Sequence, residues 1–247
     1  MRKCFASDPF KENAMNTMTS LFCPMPVRIV YFSMALCFAS TWSSQAHSQV
    51  NASFCGPLKN HYGPFDYRTQ KGSLKIVEEY HFTPLVEALM GGKSGYIDQD
   101  IDYTLHTSPN HHRALMALAK LADRNKPALL SHLTYPVECY FERAIRFKPD
   151  DTVVRILYAQ FLIKAGRKNE VQHHLDTAVT HAKDNPFSHY NIGLAYFEMG
   201  FYDKALAQAH TANAMGFEYT VLTDKLKAAG KWQEPVRETV PAPEPTK

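Results

Sequence analysis

The chain has 247 residues, of which 45% are hydrophobic and 21% charged, and its formal net charge is +3 at pH 7. These proportions are ordinary for a globular protein, and the length allows one large domain or two small ones. The small net charge, together with the lack of a basic stripe interleaved with aromatic residues, argues against nucleic-acid binding.

The N-terminal region has the pattern of an export signal. Arg28 precedes a short apolar run over residues 29–39, and small residues follow at Ala46 and Ser48. Because a membrane span needs about 20 apolar residues, this shorter run predicts a secretory signal peptide over residues 1–48. We therefore expect an exported protein, periplasmic or secreted, with no membrane span after cleavage; a retained anchor is the alternative. Three later start sites stay open: Met15, Met18 and Met25.

Two of the five cysteines, Cys55 and Cys139, follow the predicted signal peptide. An even number of cysteines in an oxidising compartment favours a disulfide. It would close a long loop and tie the segment after the signal to the middle of the chain. Two separately buried thiols are the alternative.

Residues 49–108 form a turn-rich segment that we interpret as an N-terminal cap. The sequence predicts one helix over Leu74 to Tyr80 and a second helix that begins at Thr83-Pro84. Apolar and polar residues alternate over 101–105, which predicts a short extended piece.

An internal repeat occupies the C-terminal half. The sequence from Thr152 onward aligns with the sequence from Pro186 onward at a shift of 186 − 152 = 34. Small aligned residues allow two helices to approach closely, and the aligned glycines stand where a helix would end. The aligned pairs are Tyr158 with Ile192, Ala159 with Gly193, Leu162 with Tyr196, Gly166 with Gly200, Val171 with Ala205, and Ala178 with Ala212.

The run from Asn191 to Ala205 resembles the consensus of the tetratricopeptide-repeat family, whose helix–turn–helix units are about 34 residues long. The resemblance covers about residues 109–231 and implies an all-α solenoid of helix–turn–helix units. The small, irregular N-terminal cap that we expect before it lies outside the resemblance. The first helix of the earliest unit is expected from Pro109 to Arg124, with Ser108 as its N-cap. The implied units are a degenerate repeat at 109–151, repeats at 152–185 and 186–219, and a capping helix at 220–232. Residues 233–247 are rich in proline and charge, and this composition predicts a disordered tail.

The resemblance also implies a function, because family members bind partners in a groove lined by the first helix of each repeat. Members that clamp a terminal carboxylate carry Lys, Asn and Arg there, whereas this chain has Ile156 and Tyr190. We therefore expect a non-enzymatic adaptor of the cell envelope that binds an apolar or aromatic helix or peptide. A groove covered by the protein's own N-terminal segment or tail is the alternative. The implied groove residues are Val153, Ile156, Gln160, Ile163, Lys164, Phe187, Tyr190, Leu194, Phe197 and Glu198.

Metal-binding and enzymatic functions have weaker support. The chain has twelve histidines but neither the HExxH nor the CxxC spacing of a zinc site, so we expect no metal, cofactor or catalytic residue. Gly91 to Gly95 partly matches a phosphate-binding loop, but Glu87 stands where that motif needs glycine, and a simple turn is expected. The alternative function is a metal, haem or enzymatic site built from His81, Asp102, His106, His111 and His112.

Overall fold

The computed structural model describes residues 54–235, which form ten α-helices, one 3₁₀ helix at Pro127–Leu130 and no strand. The predicted all-α class is therefore confirmed. The predicted signal peptide, and residues 236–247 of the predicted tail, lie outside the described residues. The helices are α1 (Lys71–Tyr80), α2 (Pro84–Glu87), α3 (Ile97–Thr107), α4 (His112–Ala122), α5 (Val137–Phe147), α6 (Thr152–Lys164), α7 (Lys168–Ala182), α8 (Pro186–Glu198), α9 (Tyr202–Ala214) and α10 (Val221–Ala228).

Helices α6 to α9 form two successive helix–turn–helix pairs. The starts of the first helices, α6 and α8, differ by 186 − 152 = 34, and the starts of the second helices, α7 and α9, differ by 202 − 168 = 34. Helix α6 packs against α7, α8 packs against α9, and α6 and α8 also contact each other. The constant shift in the sequence thus corresponds to a repeated pair of helices.

The ends of α6 and α8 are set by the same residue types. Asp151 and Asn185 cap the two helices by accepting a backbone N–H from the first turn. Gly166 and Gly200 follow the two helices with φ of +73° and +79°, a conformation that costs glycine little. In both cases the residue after glycine donates its N–H to a carbonyl of the last helical turn. Local sequence signals therefore define both helices.

Consecutive pairs are also joined by a recurring polar contact. Glu138 of α5 and Asp176 of α7 each accept a tyrosine hydroxyl from the next helix, α6 or α8, and each also binds an Arg or Lys near the start of the helix after that, α7 or α9. Burial and the accepting carboxylate raise the pKa of both tyrosines. The two units are Tyr158, Glu138 and Arg167, and Tyr196, Asp176 and Lys204.

Helix α10 covers the end of the array, where the sequence predicts a capping helix. Its buried residues, Leu222 and Leu226, pack where α10 contacts α8 and α9. The chain then turns back, and the indole of Trp232 meets the ring of His210 edge-on. Without α10 the apolar side of the α8–α9 pair would face water, so this short helix completes the core.

The predicted extended piece at 101–105 is wrong, because these residues belong to α3. Ile101 and Leu105 are buried and Tyr103 is exposed. Apolar residues four positions apart satisfy both a strand alternation and one face of a helix, so the pattern alone did not separate the two. The N-terminal cap is correspondingly more regular than expected, since α1, α2 and α3 all lie within it.

The predicted start of the helix after residue 108 is also wrong. Helix α4 begins at His112 and not at Pro109, and His111 caps it by accepting the N–H of Ala114 on Nδ1 at 3.1 Å. Residues 108–110 form a buried turn before it. Histidine is not among the common N-cap residues, whereas Ser108 followed by proline is a frequent start signal.

The predicted disulfide joins Cys55 to Cys139 of α5, with Cα atoms 5.1 Å apart. One turn along α5, the buried guanidinium of Arg143 donates to the carbonyls of Cys55 and Pro57 at 3.1 and 2.6 Å. Arg146 donates to the carbonyl of Gly56 at 2.9 Å. The start of the described chain is therefore held on α5 by one covalent bond and several hydrogen bonds.

Candidate functional site

Helices α4, α6 and α8 border a cleft of about 300 Å³. Its lining combines apolar side chains with lysine, glutamine and glutamate. Met116 lies exposed on α4, and Lys164 of α6 forms an ion pair with Asp123 at the end of α4. The full lining is Met116, Ala119, Lys120, Leu157, Gln160, Phe161, Lys164 and Glu198. A cleft of this size can take a few side chains of a bound peptide.

The predicted groove residues divide into three groups. Gln160, Lys164 and Glu198 line the cleft together. Ile156 and Tyr190 are buried, with 6% and 9% of their surfaces exposed, so they face the core. The remainder lie elsewhere: Val153 lines a different cavity, Ile163, Leu194 and Phe197 are half-buried against the core, and Phe187 is exposed.

Residues of α9 and of the connection after it contact Tyr190 and Phe197. The ring of Tyr190 lies 5.0 Å from Phe217 and 6.0 Å from Tyr219, which come from the connection between α9 and α10. Phe197 lies 5.4 Å from the ring of Tyr202. Among the described residues, this part of the predicted groove is contacted by α9 and by the α9–α10 connection. The alternative expectation, a groove covered by the N-terminal segment or the tail, stays a prediction.

The histidines of the alternative site do not converge on one point. Each has its own acidic partner: His81 contacts Asp100, His106 contacts Asp102, His111 contacts Glu78 and His112 contacts Asp151. Within residues 54–235, no group of three or more His, Cys, Asp or Glu side chains is placed to hold a metal ion. The same side chains serve as caps and as links between helices.

His111 is a structural group with a shifted pKa. Burial, together with the nearby charges of Arg113 and Lys71, lowers the pKa of His111 to about 3. The ring is therefore neutral at pH 7, and Nδ1 accepts the N–H of Ala114 while Nε2 donates to Glu78 at 3.0 Å. Protonation would remove the acceptor that caps α4.

We expect acid to destabilise the protein below about pH 6.5, because an unfolded histidine takes up a proton there and folded His111 does not. One such histidine contributes a slope of about 1.4 kcal/mol per pH unit down to its folded pKa. His111→Asn keeps a capping oxygen and cannot titrate. Urea unfolding at pH 7.5, 6.0 and 5.0 should show a smaller pH dependence for this variant. Equal slopes for both proteins would contradict the assignment.

The Gly91 to Gly95 loop binds a carboxylate of its own chain. The buried carboxylate of Asp100 accepts the backbone N–H groups of Lys93 and Ser94 at 2.6 and 3.0 Å. These are the donors that a phosphate would need. The Asp100 carboxylate therefore occupies these donors and holds the loop on α3.

His81 and Ser94 do not form a nucleophile–base pair beside Asp100. The Ser94 hydroxyl and the Asp100 carboxylate both lie at the same ring nitrogen of His81, Nδ1, at 3.4 and 3.1 Å. A catalytic triad needs the two partners on opposite nitrogens, so that the ring can move a proton between them. This geometry does not support a hydrolase.

A polar cluster joins the N-terminal cap to the starts of α4 and α6. The buried Asn110 amide donates to Asp66 and to Asp151, both at 2.8 Å. Burial alone would raise the pKa of Asp66, but hydrogen bonds from Arg68, Asn110 and Lys148 outweigh it and hold this pKa well below its usual range. The cluster holds the first described segment in place against the helices that follow.

A tyrosine cleft between α1 and α3 was missed by the sequence analysis. It has a volume of about 370 Å³ and is lined by Tyr62, Ile76, Val77, Tyr80, His81 and Tyr103. The tyrosines lie far apart in the sequence and belong to three segments, so no local pattern connects them. Their unusual exposure is evident only in the tertiary structure.

No protein-family model, no curated protein and no solved structure matches this chain. None of the helices within residues 54–235 is long and apolar enough to cross a membrane.

Proposed function

We propose that this chain is an exported, non-enzymatic adaptor of the tetratricopeptide-repeat type that binds a peptide or helix of a partner protein. The observation that carries the proposal is the cleft bordered by α4, α6 and α8, the three successive first helices. Proteins of this type bind partners on that surface. The ligand would insert apolar side chains beside Met116 and Phe161, and its acidic groups would meet Lys120 and Lys164.

Several repeated features support the tetratricopeptide assignment. Both helices of the two regular pairs recur at the period of that family, and so do the capping residues Asp151 and Asn185. The contact of tyrosine, carboxylate and cation recurs between neighbouring pairs. Helix α10 has the position of a capping helix. Together these features favour a short solenoid.

Export is supported by the disulfide and by the signal-like sequence. Disulfides persist mainly in oxidising compartments, and Cys55–Cys139 is such a bond. The non-enzymatic assignment is supported by the site geometry, since the histidines bind structural carboxylates and the Ser94–His81–Asp100 group lacks the arrangement of a proton relay.

Met116→Glu should weaken partner binding at least tenfold, because it places a charge on the apolar wall of the cleft. Met116 is 41% exposed, so the substitution should cost little stability. The matched control is Met215→Glu at a methionine that is 38% exposed outside the cleft. Wild type and both variants would be immobilised and exposed to envelope extract of the native cell, and retained proteins quantified. A protein retained by wild type and Met215→Glu but lost with Met116→Glu is the expected result.

Equal retention by all three proteins would contradict binding in this cleft. Thermal melting of the two variants checks that any loss does not reflect unfolding. Retention lost equally with Met116→Glu and Met215→Glu would also contradict the proposal, since it would indicate an effect of added charge in general.

A further inference from the structure

The tyrosine cleft presents aromatic surface to solvent in a concave site. Tyr62, Tyr80 and Tyr103 are 38%, 52% and 41% exposed, and Ile76 beside them is 56% exposed. Apolar and aromatic side chains that form one contiguous exposed patch, instead of being scattered singly over the surface, indicate a binding site. Two of the rings are held in position: the Tyr62 hydroxyl donates to the Ser73 carbonyl at 3.0 Å, and the Tyr103 ring stacks on His81 at 3.9 Å.

His81 adds an oriented polar group to this aromatic surface. Its Nδ1 lies 3.1 Å from the buried carboxylate of Asp100, which can only accept, so Nδ1 carries the proton. In the neutral ring the other nitrogen, Nε2, is then a hydrogen-bond acceptor. The imidazole lines the cleft with 26% of its side chain exposed. Asp100 is fixed by two backbone N–H groups, which keeps the imidazole in this orientation.

We infer that this cleft is a second binding site, independent of the proposed adaptor cleft, and that it takes a neutral saccharide ring. The apolar C–H face of a sugar stacks on tyrosine rings, whose faces carry partial negative charge. Its hydroxyl groups donate to His81 Nε2 and exchange hydrogen bonds with tyrosine hydroxyls at the rim. The volume of about 370 Å³ is at the small end of ligand sites and suits one or two sugar rings.

The acceptor on His81 favours a saccharide over a proline-rich peptide. Tyrosine-lined grooves also bind proline-rich segments, but prolines have no N–H group and present mainly carbonyl oxygens. Such a ligand can accept a hydrogen bond from Nε2 but cannot donate one to it, whereas a sugar hydroxyl can do either. The chain itself contains a proline-rich stretch at 240–247, which makes this alternative directly testable.

The test is calorimetric titration of the exported protein with cellobiose, maltose and di-N-acetylchitobiose. At least one of these neutral disaccharides should bind saturably below 10 mM. Tyr80→Ala should weaken that binding at least tenfold, and Tyr219→Ala, at an exposed tyrosine outside the cleft, should not change it. His81→Phe keeps an aromatic ring but removes both nitrogens, and should also weaken binding at least tenfold. Thermal melting establishes that each variant is folded.

Failure of all three sugars to bind at 10 mM would overturn the inference. Sugar binding that survives both Tyr80→Ala and His81→Phe would overturn it too, because the site would lie elsewhere. Saturable binding of a synthetic 240–247 peptide that Tyr80→Ala weakens and His81→Phe leaves unchanged, while none of the sugars binds, would assign the cleft to proline-rich ligands instead. Met116→Glu should leave sugar binding intact, so this test is independent of the adaptor test.

Discussion

Gly193→Leu is expected to lower the free energy of unfolding by about 3 kcal/mol or more. Gly193 lies in the middle of α8, where a Cβ atom would overlap Leu222 Cδ2 of α10 and lie 3.2 Å from Gln208 Cβ of α9. A leucine side chain would push both neighbouring helices away, and α10 would lose its position as the end of the core. Urea unfolding of wild type and variant at the same pH measures the effect.

Gly72→Leu is the matched control. Gly72 is also helical, in α1, but a Cβ atom there would have no neighbour within 4 Å. Its free energy of unfolding should stay within about 1 kcal/mol of wild type. Gly193→Ala is informative as well, because its added Cβ atom would overlap only the Cδ2 end of the Leu222 side chain. A second substitution that shortens Leu222 should therefore recover part of the stability that Gly193→Ala loses. A stable Gly193→Leu protein would show that α8, α9 and α10 do not pack as described.

Asp151→Ala is the second substitution with a large expected effect, about 3 kcal/mol. The buried carboxylate caps α6 and accepts hydrogen bonds from Asn110 and His112 at 2.8 and 2.9 Å. Loss of an N-cap costs about 1 kcal/mol, and each buried donor left without a partner costs about 1–3 kcal/mol more. Denaturant unfolding should therefore show a clear loss of stability.

Asp150→Ala is the matched control for Asp151→Ala. Asp150 is the preceding residue and has the same side chain, so the comparison separates the effect of losing a buried carboxylate from the effect of losing a charge. Its carboxylate is 59% exposed and pairs with Arg68 on the surface. Exposed ion pairs contribute about 0–1 kcal/mol, so this variant should behave nearly as wild type. Equal losses for Asp150→Ala and Asp151→Ala would contradict the role of the buried cluster. Asp151→Asn should lie between them, because it retains a capping oxygen.

The cleft between α4, α6 and α8 was only partly predictable from the sequence. Gln160, Lys164 and Glu198 were predicted from their places in the repeat, and the structure brings them to one cleft. Met116 and Phe161 were missed, because their presence in this cleft depends on how α4 packs against α6. Helices α6 and α8 are each contacted by several other helices, so most of their faces are buried and few positions remain for a partner.

The sequence by itself determined the features whose signals lie within a few residues of one another or recur at a constant shift. Asp151 and Asn185 as caps, Gly166 and Gly200 as helix ends and the constant spacing of the two pairs all follow from local hydrogen bonding and backbone conformation. The pairing of Cys55 with Cys139 was likewise predicted from the even number of cysteines that follow the predicted signal peptide.

The tertiary structure alone decided which side chains are covered and which distant residues share a cleft. Tyr190 is buried because Phe217 and Tyr219 reach it from another connection. His111 is neutral because it is buried near the charges of Arg113 and Lys71, which lowers its pKa. The tyrosine cleft depends in the same way on α1 meeting α3. Hydrophobic spacing specifies a helix and its apolar face, but burial depends on which other helix packs there, and that is a property of the whole chain.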